Sequence, residues 1–328
     1  MSAAWLSVLV LPFAIAWTVT RVLAKSGWAR SVADVPNERS LHAVPTPRVG
    51  GVGILAGAIP LAAWHGGATL MPLLVCALCL AIVSLIDDVR SLPIQVRLPA
   101  HFVAALVAVF TLSQPFAGEL AWIVAVGAML AIVWVTNLFN FMDGSDGLAG
   151  GMATIGFACL AFAARGADAP LALSAAALAS AAAGFLALNF PPARAFMGDA
   201  GSIPLGFLAA TLGLEGIAEN TWPAWFPVLV FSPFIVDASV TLARRALRRE
   251  AFWRAHRSHY YQRLVLSGWS HRRLALAAYS VMIAAGASAL AALRAGPAGR
   301  YAIIAAWVAM YAAVFFAIDR HAPPPGPR

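Results

Sequence analysis

The chain has 328 residues, of which 61% are hydrophobic and only 11% are charged, and its mean hydropathy is +0.80. This composition excludes an ordinary soluble protein and indicates a polytopic membrane protein. The formal net charge of +8 at pH 7 is compatible with a nucleic-acid partner. The basic residues, however, fall between apolar runs and no soluble domain presents them as a binding face, so we exclude nucleic acid as a partner.

A bilayer core of about 30 Å needs roughly 20 apolar residues per helix. Runs that meet or approach this length cover residues 3–24, 50–65, 68–86, 98–114, 119–137, 150–165, 169–189, 201–217, 222–243, 272–293 and 299–319. We therefore predict an all-α protein with about eleven transmembrane helices, or ten, because only the short segment "HGGA" marks the boundary between the second run and the third. Residues 1–320 are predicted to form one membrane domain, and residues 321–328 a disordered Pro-rich tail.

The positions of Lys and Arg predict the orientation, because these residues are enriched in cytoplasmic loops. With the N-terminus outside, all 22 Lys and Arg residues lie inside except Arg165, Arg294 and Arg300. The C-terminus is then cytoplasmic. The same orientation brings the polar clusters of the chain to the inner face, which predicts a site there.

The first cluster is the pair Asp87 and Asp88 in "SLIDDVRSLPIQVRL", at the end of an apolar run. Adjacent carboxylates repel each other and are costly to desolvate, so a pair at a membrane boundary needs a cation or a basic partner. Mg²⁺ or Arg97 would serve. A solvated helix end with no function explains the pair equally well.

The second cluster is "NLFNFMDGSDGLAGG", in which Asn137, Asn140, Asp143 and Asp146 recur every third residue. The four would share a stripe if the helix persisted, but the glycines indicate that it ends or loosens here. Asp and Asn supply the oxygen ligands that Mg²⁺ takes, usually together with phosphate oxygens. We favour a metal and phosphate site over a plain polar loop.

The third cluster is "NFPPARAFMGDAGSIPLGF", where Asp199 is predicted in a tight turn at a helix N-terminus. Such a turn presents backbone N–H groups to phosphate, and the acid is a candidate metal ligand. Alternatively, Asp199 or Ser202 caps the helix.

The basic loop from Arg244 to Arg273 contains "HRSHYYQR", in which His256, Arg257 and His259 are close enough to act together on a pyrophosphate. Its other arginines are expected to set topology or to meet anionic membrane lipids. Upstream, His42 and Arg48 precede a Gly-rich helix entry and are weaker candidates.

Asp237 is predicted about two turns inside the ninth span. An acid at that depth is costly enough to imply a function or a partner. Pro227 and Pro233 are expected to kink the helix that carries it.

The ordered motifs "PTPRVGG", "DDVRSLPIQVRL", "NLFNFMDGSDGLAGG", "AFMGDAGS" and "AHRSHYYQRL" resemble those of the polyprenyl-phosphate N-acetylhexosamine-1-phosphate transferases. That glycosyltransferase group also contains the phospho-N-acetylmuramoyl-pentapeptide transferases. The resemblance implies transfer of a sugar 1-phosphate from a UDP-N-acetylhexosamine to undecaprenyl phosphate with release of UMP. It also implies Mg²⁺, with Mn²⁺ as an alternative, a bacterial inner membrane and, for many relatives, a homodimer.

The resemblance also implies roles for individual residues. Asn140 and Asp199 resemble the metal ligands, and Asp87 and Asp88 resemble the pair near the attacking lipid phosphate, which Arg97 would hold. The remaining positions are nucleotide contacts at Asp143, Asp146 and Phe196, and pyrophosphate or sugar contacts at His256, Arg257 and His259.

Two departures from the family pattern concern the substrate. Tyr260 and Tyr261 follow His259 where many relatives have a further His pair, a form similar to the branch that starts O-antigen or other surface polysaccharides. Arg97 replaces a residue that is often Lys and, because Arg stays charged, it does not take a proton.

Two other protein classes are alternatives. CDP-alcohol phosphotransferases are rejected, because Asp143-Gly144 does not continue in their Asp-Gly-x-x-Ala-Arg pattern. A transporter of a phosphorylated or nucleotide-sugar substrate remains the alternative.

Overall fold

A computed structural model of the chain describes residues 2–36, 41, 44–112, 120–251 and 256–322. Two short antiparallel strands, β1 (Ala33–Asp34) and β2 (Thr46–Pro47), form a sheet. The helices are α1 (Ala3–Lys25), α2 (Gly50–His65), α3 (Gly67–Arg90), α4 (Ile94–Thr111), α5 (Ala121–Phe141), α6 (Leu148–Ala164), α7 (Ala169–Asn189), α8 (Asp199–Ala218), α9 (Trp225–Val230), α10 (Ser232–Leu247), α11 (Tyr260–Leu266), α12 (His271–Arg294) and α13 (Pro297–His321). A single 3₁₀ turn, Gly27–Arg30, follows α1.

The predicted all-α membrane fold is confirmed. Eight helices in the described part of the chain are long and apolar enough to cross a bilayer, namely α1, α3, α4, α5, α7, α8, α12 and α13. The second and sixth predicted runs are the shorter apolar helices α2 and α6. The ninth predicted run is two helices, α9 and α10, with the break at Phe231. The predicted orientation of the termini stays a prediction.

The break in the ninth run has a cause in the sequence. Pro233 occupies the first turn of α10, where a missing backbone N–H costs nothing because that turn has no intrahelical acceptor. The same residue inside a continuous helix would remove a hydrogen bond and clash with the preceding turn. Pro233 therefore begins a new helix, and Pro227 lies within α9 rather than at the break.

Helices α7 and α8 form the centre of the bundle. In their most apolar windows, 78% and 83% of the residues are buried, against 11% in α13, which lies at the periphery. Lipid tails are as apolar as the side chains they contact, so close packing rather than water exclusion holds such helices together. Small residues permit this packing: a Cβ on Gly184 of α7 would overlap the Phe13 carbonyl of α1.

Candidate active site

The four polar residues of the second cluster lie partly on α5 and partly in the turn that follows it. Helix α5 ends at Phe141, so Asn137 and Asn140 lie on the helix whereas Asp143 and Asp146 lie in the following turn. The single stripe of four polar residues that the spacing suggested is therefore not formed. Gly147 closes the turn at φ 75°, a left-handed backbone that favours glycine, and α6 begins at the next residue.

The start of α8 brings Asp199 to Asn140. Asp199 is the first residue of α8, and its Oδ1 accepts a hydrogen bond of 2.7 Å from Asn140 Nδ2. The same amide nitrogen donates to Ser202 Oγ at 3.1 Å. No side chain caps the start of α8, so the alternative that Asp199 or Ser202 caps this helix is wrong. Asn140 Oδ1 is not used in these two bonds.

Gly198 allows the close approach that precedes Asp199. Its φ is 73°, and a Cβ there would lie 3.0 Å from both Arg48 Cβ and Asp88 Oδ2. A larger residue would therefore strain the backbone and push the arginine and the acid away from the turn. This glycine lets the end of α3 and the start of α8 meet.

The two adjacent acids at the end of α3 have different partners. Asp87 accepts a hydrogen bond of 2.7 Å from Arg97 Nη1 and one of 2.5 Å from the Leu92 backbone N–H. Asp88 accepts from the Ala200 N–H at 3.3 Å and pairs with Arg48 at 3.4 Å. The two side chains are only 7% and 1% exposed, so neither is a solvated helix end. Of the two partners expected for the acid pair, Mg²⁺ or Arg97, the arginine binds Asp87, whereas Asp88 pairs with Arg48.

Arg97 and Arg48 lie among these acids. Arg97 Nη1 is also 3.9 Å from Asp199 Oδ2, so one guanidinium lies between the end of α3 and the start of α8. Arg48 binds Asp34 at 2.6 Å as well as Asp88. Burial alone would lower the pKa of the Arg48 guanidinium, but the surrounding carboxylates raise it overall, so this cation stays charged.

Backbone hydrogen bonds hold the Arg48 segment in place. The Arg48 N–H donates to the Val32 carbonyl beside β1, and the Phe196 N–H donates to the Pro47 carbonyl, at 3.0 and 2.9 Å. The N–H groups of Gly50 and Gly51 donate to the carbonyls of Phe196 and Met197, both at 2.9 Å. The segment before α2 and the segment before α8 therefore run side by side, which brings Phe196 next to Arg48.

A cavity of about 240 Å³ opens where these segments meet. Five predicted residues line it, Arg48, Asp143, Asp146, Phe196 and Asp199. Eight others also line it, Asp34, Leu41, Gly144, Ser145, Asn189, Gly198, Gln262 and His271. The pKa of Asp143 is raised well above its usual value because burial disfavours the charged form and because Asp199 and Asp88 repel it. The cavity is therefore rich in carboxylates that repel one another.

Asn189 and His271 shape this cavity, and the sequence analysis did not identify either. Asn189 Oδ1 accepts from the Gly147 N–H and its Nδ2 donates to the Ala195 carbonyl, both at 2.9 Å. His271 Nδ1 is 2.8 Å from Ser145 Oγ, and its Nε2 is 2.9 Å from the Leu41 carbonyl. These contacts fix the turn that carries Asp143. Neither residue belongs to a spacing pattern, so no sequence signal identified them.

Asp146 also helps to hold the turn after α5 in place. Its Oδ2 accepts a hydrogen bond of 3.0 Å from the Ala193 N–H, and its Oδ1 is 3.9 Å from His271 Nδ1. This carboxylate therefore ties the turn after α5 to the segment before α8, in addition to lining the cavity.

The segment that contains His256, Arg257 and His259 lies beside the cavity. Within the described residues, Gln262 of this segment lines the cavity whereas His256, Arg257 and His259 do not. The rings of His256 and His259 are 4.9 Å apart, and His259 stacks at 6.2 Å on Phe141, the last residue of α5. Burial, followed by the charges of His259 and Arg245, lowers the pKa of His256 from 6.5 to about 4.

Asp237 has the partner that its depth implied. Its two carboxylate oxygens accept the backbone N–H groups of Tyr260 and Tyr261, the first two residues of α11, at 2.9 and 3.0 Å. Thr241 Oγ1 donates to the same carboxylate at 3.2 Å, and His259 Nδ1 lies 3.5 Å from it. The acid therefore anchors α11 from a neighbouring helix and is remote from the cavity lining.

One weaker candidate, Asn137, is not brought into the cavity. Asn137 Nδ2 donates to the Val133 carbonyl at 2.7 Å and lies 3.1 Å from His101 Nδ1, so this amide faces α4. His42 lies outside the described residues.

The donor set around Asp199 consists of oxygen ligands. Among the described residues, no group of three or more His, Cys, Asp or Glu side chains is arranged to hold a metal ion by itself. Mg²⁺ is usually bound through one or two carboxylates together with substrate phosphates, so a smaller protein set fits this ion. Asp199 and the unused Oδ1 of Asn140 are such a set.

Comparison with known proteins gives consistent matches. Residues 70–217 match the sequence profile of glycosyl transferase family 4. A probable undecaprenyl-phosphate N-acetylglucosaminyl 1-phosphate transferase of Bacillus subtilis (strain 168) is 31% identical over 278 residues, covering 80% of this chain and 76% of the relative. A decaprenyl-phosphate N-acetylglucosaminephosphotransferase of Mycolicibacterium smegmatis is 32% identical, with 77% and 75% covered. A phospho-N-acetylmuramoyl-pentapeptide-transferase of Desulforudis audaxviator is 30% identical, with 78% and 87% covered.

Proposed function

Since this chain belongs to glycosyl transferase family 4, we propose that it transfers an N-acetylhexosamine 1-phosphate from a UDP-sugar to undecaprenyl phosphate. The main support is the meeting of Asp87, Asp88, Arg97 and Asp199, from three helices, beside a cavity that is lined by acids, an amide and Arg48. Two anionic substrates must approach each other in this reaction, and Arg48, Arg97 and a cation held by the acids would lower their repulsion.

The reaction exchanges one phosphoanhydride for another. An oxygen of the lipid phosphate attacks the β-phosphorus of the UDP-sugar, a P–O bond forms, and the bond from that phosphorus to the bridging oxygen breaks. UMP leaves with the electron pair of the broken bond. A phosphate monoester is largely ionised at neutral pH because its second pKa is about 6, so a strong general base is not needed. Asp87 or Asp88 positions the acceptor or removes its last proton.

Magnesium is part of the proposal, with Mn²⁺ as the alternative ion. Asp199 and Asn140 Oδ1 would hold it, because their hydrogen bond sets both groups side by side and the crowded carboxylates nearby need a cation. Bound there, the ion would offset negative charge on the pyrophosphate. Phe196, at the edge of the same cavity, is the candidate to stack on uracil, and Asp143 and Asp146 are the candidates near the nucleoside.

An apolar cavity supports a lipid acceptor. It measures about 350 Å³, lies between α2 and α3, and is lined by Val52, Leu55, Ala56, Ile59, Pro60, Leu78, Ala81, Ile82, Leu85 and Ala200. Ala200 is also the residue whose N–H binds Asp88. A polyprenyl chain in this cavity would therefore have its phosphate near the Asp88 carboxylate.

The decisive experiment is an assay of the purified chain with undecaprenyl phosphate, Mg²⁺ and a panel of UDP-N-acetylhexosamines, with UMP release as the measurement. We expect release that requires both substrates and stops when the metal is chelated. A transporter would release no UMP, and that result would reject the transferase. The panel also identifies the sugar and so tests the relation to surface-polysaccharide pathways.

Asp87→Asn tests the proposed role of the acid pair. We expect turnover to be lost while UDP-sugar binding persists, because Asp87 faces Arg97 and the end of α3 rather than the main cavity. Unchanged turnover would reject a role for Asp87 in the reaction.

Ala81→Trp tests the acceptor cavity, with Ala68→Trp as the matched control, because Ala68 is exposed on the same helix and does not line the cavity. We expect a higher KM for the lipid acceptor in the first variant only, with UDP-sugar binding unchanged in both. Equal kinetics in the two variants would place the polyprenyl chain elsewhere.

A further inference from the structure

A second polar cavity lies away from the catalytic one, at the end of α10. It measures about 30 Å³ and is lined by Thr241, Arg244, Arg245, Arg248, Glu250, Ser258, Tyr260 and Arg263. A cavity of this size holds about two water molecules, or the oxygens of a phosphate whose remaining atoms stay at the opening. It shares no lining residue with the cavity beside Asp199.

The charges around this cavity favour an anion. Arg244 and Arg263 both bind Asp319, at 2.5 and 2.8 Å, and Arg245 binds Glu250 at 2.7 Å. Four arginines therefore face two acids, which leaves an excess of two positive charges. The Arg248 side chain is exposed, and its guanidinium makes no hydrogen bond or ion pair to another described residue.

Two buried donors in the cavity lining also lack partners. The Tyr260 hydroxyl and Arg245 Nε make no hydrogen bond to any described residue. Tyr260 is 98% buried, and the Arg263 guanidinium lies 4.7 Å from its ring centroid without a hydrogen bond of good geometry to the hydroxyl. An unpaired buried donor is costly, so these two groups favour an acceptor such as a phosphate oxygen.

An apolar groove adjoins the cavity at Arg244. It measures about 460 Å³ and is lined by Val236, Val240, Arg244, Val308, Tyr311, Ala312, Phe315, Phe316 and Asp319, on α10 and α13. Arg244 lines both spaces. The Tyr260 ring stacks on Phe315 at 3.8 Å and 5°, which joins the floor of the polar cavity to the wall of the groove. Phe316 and Val308 are 57% and 65% exposed.

We propose that an anionic phospholipid binds here, with its phosphate at Arg248, Arg245 Nε and the Tyr260 hydroxyl and one acyl chain along α10 and α13. The polar and apolar parts of the site are adjacent and in the order that a lipid at a membrane surface requires. A phospholipid fits better than the acceptor lipid, because the acceptor phosphate must reach Asp88 and no residue of this site contacts that acid.

Occupation of this site would stabilise the segment that borders the catalytic cavity. Tyr260 is the first residue of α11, and Gln262 on the same helix lines the cavity beside Asp199. Arg263 ties α11 to the end of α13 through two bonds to the Ala322 carbonyl, at 2.6 and 2.8 Å. A lipid that bridges Tyr260 and α13 therefore adds to an existing connection.

The test measures phosphatidylglycerol binding to the purified full chain by native mass spectrometry, with phosphatidylcholine as the neutral comparison. We expect one retained phosphatidylglycerol per chain. Arg248→Gln should weaken it about tenfold or more, because a hydrogen bond to a charged phosphate contributes more than the general attraction of one arginine to an anionic surface. Arg249→Gln is the matched control, because Arg249 is the next residue, is exposed and does not line the cavity.

The apolar half is tested with Ala312→Trp, which fills the groove, against Ala313→Trp, which is exposed on the same helix and does not line it. Only the first should lose the lipid. If Arg248→Gln and Arg249→Gln weaken phosphatidylglycerol binding equally, the effect is a general attraction between arginines and anionic lipid, and the proposed site is rejected. Displacement of the phosphatidylglycerol by undecaprenyl phosphate in the binding assay would assign the site to the acceptor and overturn it as well. Because the readout is binding, it is independent of whether the proposed reaction occurs.

Discussion

Replacing Asp237 with Asn should release the start of α11. In the wild type both oxygens of this buried carboxylate accept backbone N–H groups, from Tyr260 and Tyr261, and one oxygen also accepts from Thr241. The amide of Asn has nearly the same shape but offers only one oxygen. Its NH₂ group would face a backbone N–H, so one buried donor is left without an acceptor.

The magnitude follows from the number of bonds. Hydrogen bonds to a charged group contribute about 1.5–3 kcal/mol each, and an orphaned buried donor costs about 1–3 kcal/mol. Removing the charge from an apolar surrounding recovers part of this, since a buried ion is itself costly to desolvate. We expect a net loss of about 3 kcal/mol in the local stability of α11, or roughly a hundredfold in its opening equilibrium.

Hydrogen exchange measured by mass spectrometry reports this opening directly. The amides of residues 260–266 should exchange roughly a hundredfold faster in Asp237→Asn, while α7 in the core keeps its protection. Turnover should fall too, because Gln262 lines the catalytic cavity. Thr241→Val is the matched control: it removes one hydroxyl bond to the carboxylate and should accelerate exchange only about tenfold, which corresponds to the lower end of the range for a hydrogen bond to a charged group. Wild-type exchange in Asp237→Asn, or an equal effect of both variants, would refute the anchoring role.

Three further predictions concern packing, pH and charge. Gly51→Ala should lower the free energy of unfolding by about 1–3 kcal/mol, because its Cβ would overlap the α8 backbone. Gly127→Ala should not, because no neighbouring atom lies within 4 Å of its Cβ. Equal unfolding midpoints of the two variants would contradict this. Burial lowers the pKa of His256 to about 4 in the folded chain, so as the pH falls the unfolded chain takes up this proton before the folded chain does. The stability of the folded chain should therefore fall between pH 6.5 and pH 4. Unfolding midpoints of His256→Gln should show a smaller fall over the same range. Arg97→Gln leaves Asp87 without its cation and should reduce turnover roughly thirtyfold, which is about 2 kcal/mol after allowing for partial exposure. Arg97→Lys keeps the charge and should retain more turnover. Equal turnover of the two variants would contradict this.

The sequence predicted best those features that depend on one segment at a time. Each apolar run became a helix or, where Pro233 intervenes, two helices, because length and apolarity suffice for this outcome in a membrane. Asp87 and Asp88 were identifiable because paired acids beside an apolar run are unusual. Asp199 was identifiable because a Gly-containing turn precedes it.

Contacts between distant segments could not be predicted in this way. Asn189 is the last residue of α7, Gln262 lies in α11 and His271 is the first residue of α12, so the cavity collects single residues from three helices. A single residue carries no periodic signal. Asn137 was a candidate site residue that does not line the cavity, and the reason is the geometry of the helix. A step of three residues turns a helix by about 300° and lowers it by about 4.5 Å, so Asn137 faces His101 although Asn140 three residues later faces Asp199.

The placement of the acids explains why the candidate site lies at helix ends. A buried carboxylate needs several donors for itself alone, as Asp237 does with its two backbone N–H groups. At the ends of α3 and α8, by contrast, arginines and a free helix N-terminus supply these donors, and one of the partners can be exchanged for a substrate phosphate. A reaction between a membrane-bound phosphate and a water-soluble nucleotide sugar needs such exchangeable partners where both substrates meet. The same reasoning distinguishes the two acids. Asp237 is bound by backbone N–H groups of its own chain, whereas the pairing of Asp88 with Arg48 at 3.4 Å leaves room for a competing anion.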